Sequence, residues 1–171
     1  MKGIIFCLTL MGLISCGHVF EKNNENKVSQ FTYMEIGNKS DNALAFINGY
    51  VEDVKKMNNA VDLIEWVNSN KWSTDGFKKE LNWIINKVYF NKFEFGYDSD
   101  PIFDAQEYPK KGFVIESIDD NSNYLTLKGD GCSRFRLTIK MKNENGIWLV
   151  DGCGLINIPN EKRPRTHTKP R

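Results

Sequence analysis

The sequence predicts an α+β domain in which N-terminal helices pack on a curved antiparallel sheet, and three observations predict it. Apolar residues recur at helical spacing in three stretches between Ser40 and Tyr89. Beyond Tyr89 the period changes to two, the alternation of strands half buried against a helical layer. Near the C-terminus Asn145-Gly146 separates two alternating runs, the pattern of a two-residue hairpin loop.

In order along the chain, Ser40 or Asp41 can cap a first helix, because Phe46, Ile47, Tyr50, Val51, Val54 and Met57 then share one face. A second helix from Ala60 to Asn68 carries Val61, Leu63, Ile64 and Val67 and stops at Asn68-Ser69-Asn70. The third follows the capping residues Ser73 and Thr74 and places Phe77, Leu81, Ile84, Ile85 and Val88 on one stripe, with Lys78, Lys79, Glu80 and Lys87 on the wetter side. In the strand half, Phe113, Ile115, Leu125 and Leu127 share a face if the polar run Asp119 to Asn123 is a loop. Phe135, Leu137, Ile139 and Met141 alternate with Arg134, Arg136, Thr138 and Lys140, and the chain returns through Trp148 and Val150. With Asn145-Gly146 as the loop, Glu144 faces Ile147, Met141 faces Val150 and Cys153 faces Thr138. Helices followed by a meander make two layers around one core. No internal repeat or second core is present, so residues 40–160 read as a single domain.

Ahead of that domain, Lys2 precedes an apolar run from Gly3 to Ile14. The run is too short to cross a hydrocarbon core, which takes about 20 apolar residues as a helix, so residues 1–15 read as a secretion signal. Leu13-Ile14-Ser15-Cys16 resembles the lipobox of bacterial lipoproteins, which implies cleavage before Cys16 and attachment of diacylglycerol to its sulfur. Gly17 stands where some bacteria place an aspartate as an inner-membrane retention signal, which favours the outer membrane. Residues 16–39, rich in Asn, Lys and Glu, read as the lipidated cysteine followed by a flexible tether.

Loss of Met1 to Ser15 leaves about 155 residues, enough for one core, and takes the charge from 23 basic and 22 acidic residues to 22 of each. A neutral chain argues against a nucleic-acid binder, whose affinity rests on a concentrated basic face. The charge is uneven, however. Residues 161–171 carry Lys162, Arg163, Arg165, Lys169 and Arg171 against Glu161 and no apolar residue, so they read as a disordered basic tail of net charge +4. The partners expected are therefore the membrane, through the N-terminal lipid, and a protein or small ligand.

The chemistry open to the chain is narrow. Both histidines, His18 and His167, fall in the tether and the tail, which argues against a histidine-assisted nucleophile and against zinc. Neither a cofactor nor a metal is expected. Cys132 and Cys153 are an even pair that an oxidising compartment could join, yet the hairpin register sets them several residues apart, so a disulfide and two buried free thiols both stay open. Carboxylates gather at Asp98, Asp100, Asp104 and Glu107, with Asp151 at a strand end. Burial in an apolar cavity could tune one of them for acid or base work. Equally, Asp100 before Pro101 can start a turn, with Asp104 and Gln106 satisfying backbone groups nearby. A calcium loop fails at Phe103, where glycine is needed, and at Pro109, where a glutamate is needed. Gly129-Asp130-Gly131 is a turn between strands, since no helix follows it. Trp66, Trp72, Trp83, Tyr89, Phe90 and Trp148 can line a ligand cavity, with Asp100, Asp104, Gln106 and Asp151 as its polar groups, or the aromatic residues can simply fill the core.

Three segments carry a family resemblance: residues 45–51 (AFINGYV), Asp100-Pro101-Ile102 with Asp104-Ala105-Gln106, and residues 145–152 (NGIWLVDG). The chain resembles the nuclear transport factor 2-like, or cystatin-like, fold as it occurs in an uncharacterised family of small bacterial lipoproteins. The resemblance implies a cone with a cavity between a concave sheet and its helices, and it implies no reaction, because that fold hosts enzymes, binding modules and immunity proteins. The first expectation is a membrane-anchored, non-enzymatic binding or interaction protein using the cavity or the outer sheet face. An immunity protein that neutralises a delivered toxin comes second. An enzyme acting through Asp100, Asp104 or Asp151 comes third.

Overall fold

The computed structural model describes residues 21–57, 60–89, 99–119 and 121–164. Cys16, both histidines, Phe90, Asp98 and residues 165–171 lie outside the described residues, and with them the expected secretion signal and lipidation site. The chain divides into two compact units, Met1–Tyr33 and Met34–Arg171.

Helix α1 runs Glu21–Val54, α2 Ala60–Ser69 and α3 Asp75–Ile84, the last continued by a π-helical turn at Ile85–Tyr89. Four strands follow: β1 Phe113–Ile118, β2 Tyr124–Gly129, β3 Cys132–Glu144 and β4 Ile147–Cys153. They form one antiparallel sheet in the order β1-β2-β3-β4, open and not strongly curled, and a 3-10 turn at Asn160–Lys162 closes the described chain. The α+β expectation, three N-terminal helices packed on an antiparallel meander, is what is found.

Helix α1 begins well before Ser40, so the stretch expected as a flexible tether is helical from Glu21. The physical reason is local. No proline interrupts residues 21–54, and Asn38 and Asn42, instead of capping, sit one turn apart with Asn42 Nδ2 donating to Asn38 Oδ1 at 2.7 Å. Helix α3 starts where expected: the Thr74 hydroxyl accepts from the Phe77 amide at 3.0 Å.

The core is built from the inward faces the periodicity marked. Phe46, Ile47 and Tyr50 of α1, Val67 of α2 and Phe77 and Leu81 of α3 meet Leu125, Leu127, Leu137, Ile139, Met141 and Val150 of the sheet, all buried. Each such side chain contributes on the order of 1.5–3 kcal/mol by leaving water. Val61, expected on the apolar face of α2, is instead 53% exposed.

Register in the last hairpin agrees with expectation from Glu144↔Ile147 through Met141↔Val150. Then it slips by one. Lys140 pairs with Gly152 and Ile139 with Cys153, so Asp151 is the extra residue of a β-bulge and Cys153 faces Ile139, not Thr138. The bulge has a cause on the far edge of β4, where Val150 donates to the Trp72 carbonyl at 2.7 Å and accepts from the Thr74 amide at 3.0 Å. Tying Val150 to the segment ahead of α3 fixes β4 there, and the extra residue takes up the mismatch.

Candidate functional site

The segment before β1 places Asp100 at a tight turn. Asp100 Oδ1 accepts from the Ile102 amide at 2.8 Å and the Phe103 amide at 3.1 Å, while its own amide donates to the Ala105 carbonyl at 2.9 Å. The remaining oxygen, Oδ2, accepts from the Tyr50 hydroxyl at 2.5 Å. Asp104 completes the turn with φ 53°, a conformation that aspartate tolerates. The turn drives Ile102 and Phe103 fully into the core, where Phe103 stacks on Tyr108 with ring centroids 4.7 Å apart and meets Tyr50 at 5.0 Å. Gly154 backs it from the other side. A Cβ there would lie 2.3 Å from the Ile102 carbonyl oxygen, so only glycine admits so close an approach.

Burial pushes the Asp100 carboxyl above its ordinary value, although the Tyr50 hydroxyl and the two amides pull it down. Beside it Cys153 is fully buried and its Sγ donates to the Ile102 carbonyl at 3.3 Å. Burial raises that thiol well above its ordinary value, and the negative charge of Asp100 raises it further. Cys153 is therefore an inert core group. Cys132 lies exposed at the far end of β3, opposite Gly129, and both cysteines are free thiols. The disulfide left open by the sequence does not form, because β3 itself separates the two sulfurs, and only one of the two thiols is buried.

Asp151 forms a second centre at the bulge. Its Oδ1 accepts from the Thr74 hydroxyl at 2.8 Å, its Oδ2 meets Lys140 Nζ at 2.8 Å, and its carbonyl accepts from Asn157 Nδ2 at 2.8 Å. Burial pushes this carboxyl up, but the Lys140 ammonium and the Thr74 hydroxyl outweigh it and hold it below the usual value. The site joins the N-terminus of α3 to the sheet.

The expected cavity residues do not come together. Trp83 is 52% exposed with Lys87 Nζ 4.6 Å from its ring centre, and on α3 it lies off the buried stripe of Phe77, Leu81 and Ile84. Gln106 is exposed and Asp104 half buried. Trp148 is half buried, with Lys39 Nζ 4.9 Å from its ring centre, and its carbonyl accepts from Asn42 Nδ2 at 2.8 Å. Its indole Nε1 is buried with no hydrogen-bond partner among the described residues. Among the described residues between helices and sheet, the rings of Phe46 and Phe77, Tyr50 and Phe103, Phe103 and Phe113, and Phe113 and Phe135 pack with centroids 5.0–6.0 Å apart. A recess beside Phe103, Asp104 and Leu137 has a volume of about 10 Å³, the size of one water.

One feature of the surface was not anticipated. An open hollow of about 500 Å³ lies between the end of α1 and α2, lined by Asp53, Lys56, Met57, Asp62, Glu65, Trp66 and Ser69. Trp66 forms its wall, packed on Tyr50 with ring centroids 5.0 Å apart while Nε1 donates to Asp53 Oδ2 at 3.1 Å. The hydrogen bond from Lys56, joined by the one from Trp66, holds the Asp53 carboxyl below its ordinary value. The available signal was a tryptophan flanked by Asp62 and Glu65 on a helix already assigned to the core by its leucine and valines.

The outer sheet face is polar and partly covered. Arg136 makes a two-pronged contact with Glu116 at 2.6 and 2.7 Å across β2, and the Thr138 hydroxyl donates to the Lys162 carbonyl at 2.7 Å as the C-terminal turn crosses it.

The chain matches no protein-family profile and no curated protein. Among solved structures it is similar to a protein of unknown function from Bacteroides thetaiotaomicron VPI-5482, at 17% identity and a TM-score of 0.45, over 77% of this chain and 97% of that one.

Proposed function

We propose that the chain is a lipid-anchored protein of the bacterial envelope, held in the outer membrane through Cys16, that works as a non-enzymatic interaction module and meets its partner at its surface. The observation that carries this reading is the open hollow at α1 and α2, which has a tryptophan wall and the exposed carboxylate of Glu65, while the described aromatic rings between helices and sheet pack on one another. Such a lining, three carboxylates against one lysine, suits a cationic group on a protein partner by charge attraction. Asp100 and Asp151 support a structural role over a catalytic one, because their oxygens are engaged in holding a turn and a bulge. The finer assignment to a nuclear transport factor 2-like or cystatin-like cone belongs to the same proposal, supported by helices that precede a bulged meander.

Two experiments test it. Cys16→Ala in cells fed radioactive palmitate should abolish labelling and release the protein from the membrane fraction; retained label and unchanged fractionation overturn the anchor. A photo-crosslinking residue at Glu65 should yield a discrete adduct in intact cells that the same residue at Arg134, on the sheet face, does not. Adducts from Arg134 alone move the contact to the sheet. Adducts from neither remove the interaction reading.

A further inference from the structure

Two Asn-Gly pairs occur in the chain, Asn48–Gly49 within α1 and Asn145–Gly146 at the tip of the β3–β4 hairpin. Asparagine before glycine is the junction most prone to close into a succinimide, because no side chain hinders the glycine nitrogen as it approaches the carboxamide carbon. The fold treats the two pairs differently. The Asn48 carboxamide is clamped on both sides by one residue, accepting from the Phe113 amide at 2.7 Å and donating to the Phe113 carbonyl at 3.1 Å, and the pair lies within a continuous helix. At the hairpin tip both residues are exposed with positive φ, 54° at Asn145 and 85° at Gly146, and no atom beyond Gly146 and its two chain neighbours lies within 4 Å of the position a Cβ on Gly146 would take. One restraint remains. The Gly146 amide, the nucleophile of the ring closure, donates to Asn143 Oδ1 at 2.9 Å.

We infer that Asn145 is a site of spontaneous deamidation whose rate is set by the clasp of Asn143 on the Gly146 amide. The Gly146 nitrogen gives up its proton to hydroxide and attacks Asn145 Cγ. A bond forms between them, the Cγ–Nδ2 bond breaks, and ammonia leaves after taking a proton from water. Water then adds to one carbonyl of the ring and opens it, leaving isoaspartate or aspartate, so the net change is gain of water and loss of ammonia. While the amide proton is shared with Asn143 Oδ1, the nitrogen is less acidic and the attack requires that bond to be given up. The product carries a new carboxylate next to Glu144, and as isoaspartate an extra backbone methylene in a loop whose two-residue length sets the pairing Glu144↔Ile147.

The test incubates the full chain in mildly alkaline buffer and follows both asparagines by peptide mapping, reading the mass gained when NH2 becomes OH. The Asp-Gly junctions at Asp75, Asp130 and Asp151 lose and regain water with no net change, so they do not enter this readout. Expected are conversion at Asn145, none at Asn48, several-fold faster conversion at Asn145 in Asn143→Ala with Asn48 still intact, and no conversion at the tip in Asn145→Gly, which accepts the positive φ. Equal rates in wild type and Asn143→Ala overturn the clasp. Conversion of Asn48 in step with Asn145 overturns the site, because it marks passage through the unfolded chain. So does an unchanged Asn145 in both folded proteins when the urea-unfolded chain converts.

Discussion

Asp100 and Asp151 each accept a hydrogen bond from a hydroxyl, Asp100 holding its turn to α1 and Asp151 holding the start of α3 to the sheet, yet their carboxyls lie on opposite sides of the ordinary aspartate value. Asp100 has the richer set of donors, two amides and the Tyr50 hydroxyl, and still burial prevails. Asp151 has a single neutral hydroxyl, but Lys140 stands against it at 2.8 Å and burial is overcome. Asp151 is also the less deeply buried of the two, so neutral donors alone fail to repay the hydration lost at the deeper site, whereas a cation together with a hydroxyl repays the smaller loss at the shallower one. At Asp100 the shift follows from the burial that comes with wedging Ile102 and Phe103 into the core.

The largest effect is expected at Asp100. Asp100→Ala leaves three buried donors without an acceptor and should lower the unfolding free energy by about 3 kcal/mol, measured by urea denaturation. Asp100→Asn keeps an oxygen for the Ile102 and Phe103 amides and should cost much less at neutral pH. The two aspartates also differ in the sign of their pH dependence. Between the unfolded aspartate value of about 3.9 and its raised folded value, Asp100 holds a proton that the unfolded chain has released, so its contribution falls as pH rises through that window. Asp151 does the opposite: its contribution is present above about pH 4 and is lost as pH falls through its lowered folded value. Stability profiles of Asp100→Asn and Asp151→Asn should therefore depart from wild type in opposite directions with pH. Parallel departures break the comparison.

A middling effect belongs to the Thr74–Asp151 bond. Thr74→Ala removes the cap of α3 and should cost about 1 kcal/mol, and Asp151→Ala a similar amount. Because both delete the same hydrogen bond, the double variant should cost less than the two single losses together. Strict additivity would mean that the contact contributes nothing.

How far the sequence spoke can be read from β3 and β4. Asn145-Gly146 and the alternation around it set the register to Met141↔Val150, because those signals are local to the hairpin. The slip at Asp151 was hidden, since it arises from Trp72 and Thr74 bonding to Val150, a contact between segments far apart in the chain. Thr74 itself was legible as a cap, and Asp100 before Pro101 as the start of a turn. Trp83 was misplaced for a different reason: tryptophan signals burial by its size alone, whereas its position on α3 lies outside the stripe of Phe77, Leu81 and Ile84. The early start of α1 escaped because Asn38, Ser40 and Asp41 are cap formers by type, and only the pairing of Asn38 with Asn42 shows them inside a helix.

The smallest effect is expected at a second bulge that carries the same kind of pair in the open. Glu116 is the unpaired residue of β1 between Ile115 and Ser117, and it meets Arg136 with the two-pronged geometry that most favours such a contact. The hydrogen bond from Arg136 leads the effects that hold its carboxyl below the usual value, as Lys140 does for Asp151. What differs is water. Both side chains of the Glu116 pair are solvated, so charge attraction is screened and ordering two long side chains offsets much of what remains. Glu116→Gln should leave the urea midpoint nearly unchanged at physiological salt and shift it slightly at low salt, while Asp151→Asn shifts it at both. If Glu116→Gln proves as costly as Asp151→Asn in high salt, then burial does not separate the two bulges, and the account of Asp151 as a staple made strong by its surroundings fails with it.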